Sequence, residues 1–368
     1  VALVGGLLAP RRWAMNFPHQ NRDFDGRAAV AIDPISDAVQ ERRRVPRRFA
    51  WIGTGASLLL FGVSIFVLWH LVSEVDYAEV KAAFTAATGR QIAFALALTA
   101  LSYLLLTCYD ALALRQLGVA MPYRTTALGS FTSYAVSFTL GFPILTGGTV
   151  RYWIYAPKGM KPGKVASLTV IAGFTFWLGM DTVLAWSLLR EAGPLAVLVY
   201  TNIKINQLAG LAAALVVLGY LAWVSVRRRS VKIQGWRLEL PGFGLSLTQM
   251  LIGAADVCAG AGVLYVLLPP GHGIGYETFL AVYVFAVMLG IASHSPGGLG
   301  VFEATILLAL ASLPREPVLG ALLLFRLCYY LAPFILALTL LGAYEVKARM
   351  RSANAVLHPE EEATVAEK

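Results

Sequence analysis

Charge is what this chain has least of. Asp, Glu, Lys and Arg make up 14% of its 368 residues, against about 25% in an ordinary soluble domain. That share cannot solvate a globular surface, so a soluble domain is excluded. Histidine (five) and cysteine (three) are scarce as well. Cys108, Cys258 and Cys328 all fall in apolar runs at no metal spacing, which argues against a disulfide framework or a zinc module. No His-Glu-x-x-His or Cys-x-x-Cys occurs, and residues 141–148 lack the Lys-Ser/Thr of a phosphate loop. The sequence therefore calls for no cofactor and no metal.

What it has is hydrocarbon. Hydrophobic residues make up 58% of the chain and mean hydropathy is +0.67. Apolar runs of about 20 residues recur, the length needed to cross a bilayer as a helix. A net charge of +9 would suggest nucleic acid in a soluble protein. Here most Lys and Arg gather at the ends of apolar runs, as topogenic charges, so nucleic acid is not an expected partner.

The expected fold class is an all-α polytopic membrane protein. Full spans are predicted at 50–72, 92–114, 165–189, 205–226, 245–268 and 318–343. Two further apolar stretches, 125–157 and 278–313, are broken: the first by Pro143 and Gly147-Gly148, the second by Ser293-His-Ser-Pro-Gly-Gly-Leu-Gly300. Proline ends helical hydrogen bonding and glycine permits tight turns, so Pro143, Gly147, Gly148, Pro296, Gly297, Gly298 and Gly300 are expected hinges. Broken backbone at membrane depth survives only when buried in protein or lining a wet cavity. Were both stretches full crossings, Lys158, Lys161, Lys164 and Arg227 to Arg229 would lie outside. As two re-entrant hairpins, one from each face, they leave every basic cluster inside.

A repeat points the same way. Segment starts at 50, 92, 125 and 165 have counterparts at 205, 245, 278 and 318, offset by 155, 153, 153 and 153 residues. Tyr134-Ala-Val136 echoes Phe285-Ala-Val287, and Gly147-Gly148 echoes Gly297-Gly298. The parity above makes the repeat inverted, with halves at about 50–190 and 205–343. Residues 1–48, with a basic collar from Arg42 to Arg48, are expected to be a partly disordered cytoplasmic segment, 49–346 the membrane domain and 347–368 a cytoplasmic tail. One reading places residues 1–14 upstream of a start at Met15.

Ionised groups inside spans cost on the order of 3 kcal/mol each and need partners. Asp110, Arg151, Asp181, Asp256, Glu303 and Arg326 are those groups. Arg151 and Glu303 follow the two glycine pairs and are expected near one midplane region. Arg326 needs an anion, either Glu303 or a lipid phosphate. Two readings stand for Arg151 with Asp110 and for Arg326 with Glu303: ion pairs that lock helices, or the lining of a substrate path. His294 either relays a proton or bonds the broken backbone. Asp110 and Arg115 also read as snorkelling interfacial residues, and Tyr152, Trp153 and Tyr155 as an aromatic belt.

At Ser295-Pro-Gly-Gly-Leu-Gly-Val-Phe-Glu303, with Thr146-Gly-Gly-Thr-Val-Arg151 upstream, the chain resembles the transmembrane region of lysylphosphatidylglycerol synthases, also called multiple peptide resistance factors, and their stand-alone relatives. The resemblance covers about residues 48–349. It implies a bacterial inner-membrane protein, both termini cytoplasmic, that flips phospholipid such as aminoacylated phosphatidylglycerol. It also implies that Asp110, Arg151, Glu303 and Arg326 line the lipid cavity. Bifunctional members continue into a cytoplasmic aminoacyl-transferase. This chain ends at Lys368, which implies a truncated or stand-alone form without that enzyme activity. The implied partners are membrane phospholipid and a separately encoded aminoacyl-lipid synthase, with a homo-oligomer left open. With no nucleotide motif, movement would be downhill or ion-coupled. A membrane-embedded transferase using Glu303 or His294 as base, and a scaffold for a separate synthase, are the rival readings.

Overall fold

The structure is a computed structural model that describes residues 62, 78, 83, 85, 87–141, 143–198, 200–226, 230–233, 236–239, 241–293 and 296–357. The N-terminal segment, nearly all of the span expected at 50–72, Arg227 to Arg229, His294 and the end of the tail lie outside the described residues.

From Gly89 the chain runs through α1 (Gly89–Gln116), α2 (Tyr123–Leu140), α3 (Pro143–Tyr155), α4 (Pro162–Arg190), α5 (Ala192–Leu198) and α6 (Ile203–Val226). A ribbon of β1 (Ser230–Ile233) and β2 (Trp236–Glu239) follows, and then α7 (Phe243–Leu267), α8 (Tyr276–Ala292), α9 (Val301–Ala309), α10 (Arg315–Phe325) and α11 (Ala332–Leu357). The antiparallel ribbon, Ser230 opposite Glu239, corrects the all-α expectation locally. Its Val, Ile and Trp residues favour strand, and it sits between two spans rather than in one.

Five helical stretches are long and apolar enough to cross a membrane: α1, α4, α6, α7 and the continuous run Arg315–Met350. They coincide with five of the six expected spans. The two broken stretches are helix pairs. At about 1.5 Å per residue, the 18 residues of α2 and 13 of α3 reach about 27 and 20 Å. The 17 residues of α8 and 9 of α9 reach about 26 and 14 Å, all short of a ~30 Å hydrocarbon layer.

The positions of the breaks separate the glycines by job. The first break is at Gly141, whose φ of 78° lies in the left-handed region, and Pro143 then opens α3. Gly147 and Gly148 lie within α3, which corrects the expected break there. Gly147 is glycine because α2 presses on it: an added Cβ would come within 2.6 Å of Ser137 Oγ, and Ser133 Oγ donates to the Gly147 carbonyl at 2.8 Å. The second break falls where expected, with Gly297, Gly298 and Gly300 at φ of 59°, 67° and 83°. The turn at Gly297 rests on the end of α2, 3.1 Å from an added Cβ to the Phe138 carbonyl oxygen. The two breaks therefore meet.

Helix packing uses small residues and caps. Thr88 caps α1 reciprocally with Gln91, and Gln91 Nε2 donates to the Val266 and Leu268 carbonyls at 3.0 and 3.3 Å, filling acceptors left open at the end of α7. Between α4 and α7, Gly179 and Gly253 bring backbones into contact, and an added Cβ on Gly253 would lie 2.6 Å from the Thr175 carbonyl oxygen. Gly253→Val is expected to force α4 off α7 and to cost about 1–3 kcal/mol or more. Thermal unfolding in detergent checks it, and an unchanged midpoint would contradict this packing. Past the expected end of the last span at 343, α11 continues to Leu357, aided by an Arg349–Glu345 pair at 2.8 Å.

Candidate functional site

Three polar centres sit inside the bundle. Asp110 on α1 and Arg151 on α3 form the first. Arg151 Nε donates to Asp110 Oδ2 at 2.9 Å and Nη2 to Oδ1 at 2.8 Å, a two-point grip. Tyr155, four residues on and thus on the same face of α3, donates to Oδ2 at 2.9 Å. Gly129 on α2 leaves room for that ring, since an added Cβ would be 2.5 Å from it. The guanidinium also lies 4.7 Å from the Tyr134 ring centre. The pair's side chains are 3% and 0% exposed. Asp110 is thus not an interfacial snorkelling residue, nor is Tyr155 part of an aromatic belt. Tyr152 is exposed, and Trp153 Nε1 reaches Glu345 at 3.2 Å.

The second centre joins the two halves of the chain's second broken stretch to its last span. Arg326 begins a six-residue π turn, Arg326–Leu331, between α10 and α11. Such widened turns recur at functional positions. Its Nη1 donates to the Gly297 carbonyl at 2.7 Å and its Nε to Glu303 Oε1 at 2.6 Å. The other carboxylate oxygen accepts the Gly300 N–H at 2.8 Å, closing the N-terminus of α9. Tyr330 and Phe302 flank the guanidinium at 4.5 and 5.6 Å. Here the grip is incomplete. Nη2 lies 2.5 Å from the same Oε1 that Nε already uses, but off-axis, and among the described residues it has no aligned acceptor. This pair is also more open, its side chains 17% and 22% exposed.

The third centre is Asp256 on α7. Ser102 Oγ donates to its Oδ1 at 2.5 Å and Tyr109 Oη to Oδ2 at 2.9 Å, while Ser102 Oγ lies 2.9 Å from Tyr329 Oη. Its partners are hydroxyls, and no cation pairs with it among the described residues. Ser102 and Tyr109 are seven apart on α1, two turns on one face. That spacing was the available signal, but hydroxyls on apolar helices are too common to single out. Tyr329, on the π turn, links this centre to Arg326.

Arg151 and Glu303, expected near one another, each take a different partner. Arg326 takes Glu303, one of the two anions expected for it. Asp181 on α4 is half-buried and belongs to none of the three centres. Among the described residues no group of three or more His, Cys, Asp or Glu gathers.

A bundle of apolar spans with ionised groups sealed inside defines a multi-pass membrane protein. Residues 56–337 match the family described as the Lysylphosphatidylglycerol synthase TM region, and the chain belongs to that family. It is 31% identical over 293 residues to the protein slr0712 of Synechocystis sp., covering 79% of this chain and 91% of that one. It is 28% identical over 303 residues to the inner membrane protein YbhN of Escherichia coli, covering 80% and 93%. Similarity to the phosphatidylglycerol lysyltransferase of Staphylococcus haemolyticus is 25% over 285 residues, 77% of this chain but 33% of that one. The chain thus spans nearly all of the two shorter relatives and about a third of the longer enzyme.

Proposed function

We propose that this protein moves a phospholipid headgroup between the leaflets of a bacterial inner membrane, through the Arg326–Glu303 centre. One observation carries the reading: an arginine with a spare donor, paired only in part, sits where two helix breaks meet. A phosphate accepts two parallel donors from a guanidinium, and the Nη2 of Arg326 has no aligned acceptor among the described residues. Glu303 then offers an anion to a headgroup amine. The groove lined by Leu96, Tyr103, Phe131, Cys328 and Leu336, of about 420 Å³, lies beside the π turn and suits an acyl chain. A relative named phosphatidylglycerol lysyltransferase supports phosphatidylglycerol or its aminoacylated form as the lipid. A separate synthase would then supply any aminoacylated substrate.

In this reading α2–α3 and α8–α9 are re-entrant hairpins from opposite faces, the halves form an inverted repeat, and the glycine turns at Gly141 and Gly297 to Gly300 are the hinges. Both termini are cytoplasmic. The name of the E. coli relative, an inner membrane protein, supports the location. Two measurements test it. In a cysteine-free background, Lys161→Cys is expected to react with an impermeant maleimide only from the cytoplasmic face; periplasmic labelling would overturn the topology. In proteoliposomes with fluorescent phosphatidylglycerol, exchanging the charges (Arg326→Glu with Glu303→Arg) is expected to abolish translocation. Retained transport would instead make the pair a structural clasp.

The scaffold reading has its own observation at the other pair. Arg151 and Asp110 are sealed from solvent and joined at two points. That pair locks α3 to α1 and is assigned no substrate contact.

A further inference from the structure

Outside the three polar centres, α4 and α6 face one another with aromatic stripes. Phe174, Trp177 and Asp181 recur at spacings of three and four on α4, and Tyr220 and Trp223 at three on α6, so each set shares a helix face. Together with Met288 of α8 they line an open groove of about 500 Å³. Phe174 and Tyr220 meet edge to face at 5.1 Å, and Tyr220 Oη is fixed 3.2 Å from Ser246 Oγ. Trp177 and Trp223 are 43% and 40% exposed, leaving the rim open.

Asp181 is the anion in that wall. Among the described residues it has no hydrogen bond and no ion pair, unlike Asp110, Asp256 and Glu303. A carboxylate in an apolar span is expensive without a partner. Aromatic faces carry a negative quadrupole that repels a carboxylate, and among the described residues neither the indole N–H groups nor the Tyr220 hydroxyl, which lies 3.2 Å from Ser246 Oγ, donates to Asp181. The faces do attract a cation held beside it. Inorganic cations prefer oxygen ligands, of which the groove offers a single carboxylate and few others. An alkylated or primary ammonium combines charge with apolar surface and matches both wall and anion. We infer that the groove between α4 and α6 is a binding site for an organic ammonium group, held by Asp181 and boxed by Phe174, Trp177, Tyr220 and Trp223. Its occupant enters from the side of the bundle, through the open rim. The site does not depend on lipid translocation, because occupancy is read without transport.

The test uses the purified full chain in detergent and follows tryptophan fluorescence. Titrants are tetramethylammonium chloride, short-chain phosphatidylethanolamine, and short-chain phosphatidylglycerol, which has no ammonium, with sodium chloride as ionic-strength control. A saturable change that Trp177→Phe diminishes is expected with an ammonium-bearing titrant, and no Trp177-dependent change with phosphatidylglycerol, whose phosphate is assigned to Arg326. If tetramethylammonium suffices, the ammonium alone is the recognised group; if only the lipid binds, the headgroup is recognised on its lipid. Asp181→Asn is expected to weaken binding about tenfold or more, Asp181→Glu to restore most of it, and Trp177→Phe to diminish the signal. Arg326→Lys, which reports on the translocation reading, is expected to leave the tetramethylammonium titration unchanged. Equal curves for Asp181→Asn and the unaltered chain, or an equal Trp177-dependent change with phosphatidylglycerol, would overturn the inference.

Discussion

Arg151→Ala is expected to destabilise the protein by about 3–5 kcal/mol, the usual cost of leaving one member of a buried ion pair alone. The reason is what remains. Asp110 is fully buried on α1, and without Arg151 the Tyr155 hydroxyl is the one side-chain donor left to it among the described residues. The loss should show in equilibrium unfolding, and in less protein surviving purification. The converse experiment is sharper. Replacing both members with apolar residues, Arg151→Met with Asp110→Leu, removes the stranded charge and should recover most of the stability. Tyr155 tolerates this, because its hydroxyl also lies 3.1 Å from the Thr126 carbonyl. A double variant as unstable as the single one would mean that the pair does more than hold helices together.

Arg326→Lys is expected to separate transport from stability. Lysine keeps a positive charge near Glu303 but has no planar fork. It cannot reproduce Nε on Glu303, Nη1 on the Gly297 carbonyl and a third donor aimed elsewhere. Losing a charge-assisted hydrogen bond to phosphate is worth about 1.5–3 kcal/mol, or roughly 10–100-fold in translocation rate. Stability should fall far less than in Arg151→Ala, since this pair is partly open and keeps its charges. Initial rates of fluorescent phosphatidylglycerol transfer in proteoliposomes measure the first, and unfolding in detergent the second. A rate unchanged by Arg326→Lys would remove Arg326 from the lipid path.

Much of the architecture could be read from the residues because it depends on composition over lengths of about 20. Five expected spans emerge as helices, four of them within about three residues of their predicted ends and the last running on past 343, since apolar runs in hydrocarbon must satisfy their backbone internally. Pro143 and Pro296 marked both interrupted stretches for the same reason: a missing N–H is a local fact. The charges that hydrocarbon rejects were also visible one by one.

Glycine shows where that reading stops. Gly147-Gly148 and Gly297-Gly298 look alike in sequence, yet the first pair lies inside a helix and the second breaks one. Gly147 needs no Cβ because Ser133 and Ser137 of a neighbouring helix press against it, and no local signal carries a neighbour's position.

Apolar length, prolines and misplaced charges, then, were determined by the sequence itself, because each is a property of one segment in one solvent. Which charge pairs with which was decided by tertiary structure. Asp110 with Arg151 is 41 residues apart and Glu303 with Arg326 is 23, and only helix packing sets those distances. The same packing closed one pair in a two-point grip and left the other partly open. Partner geometry is a relation between helices, and it exists only once they have met.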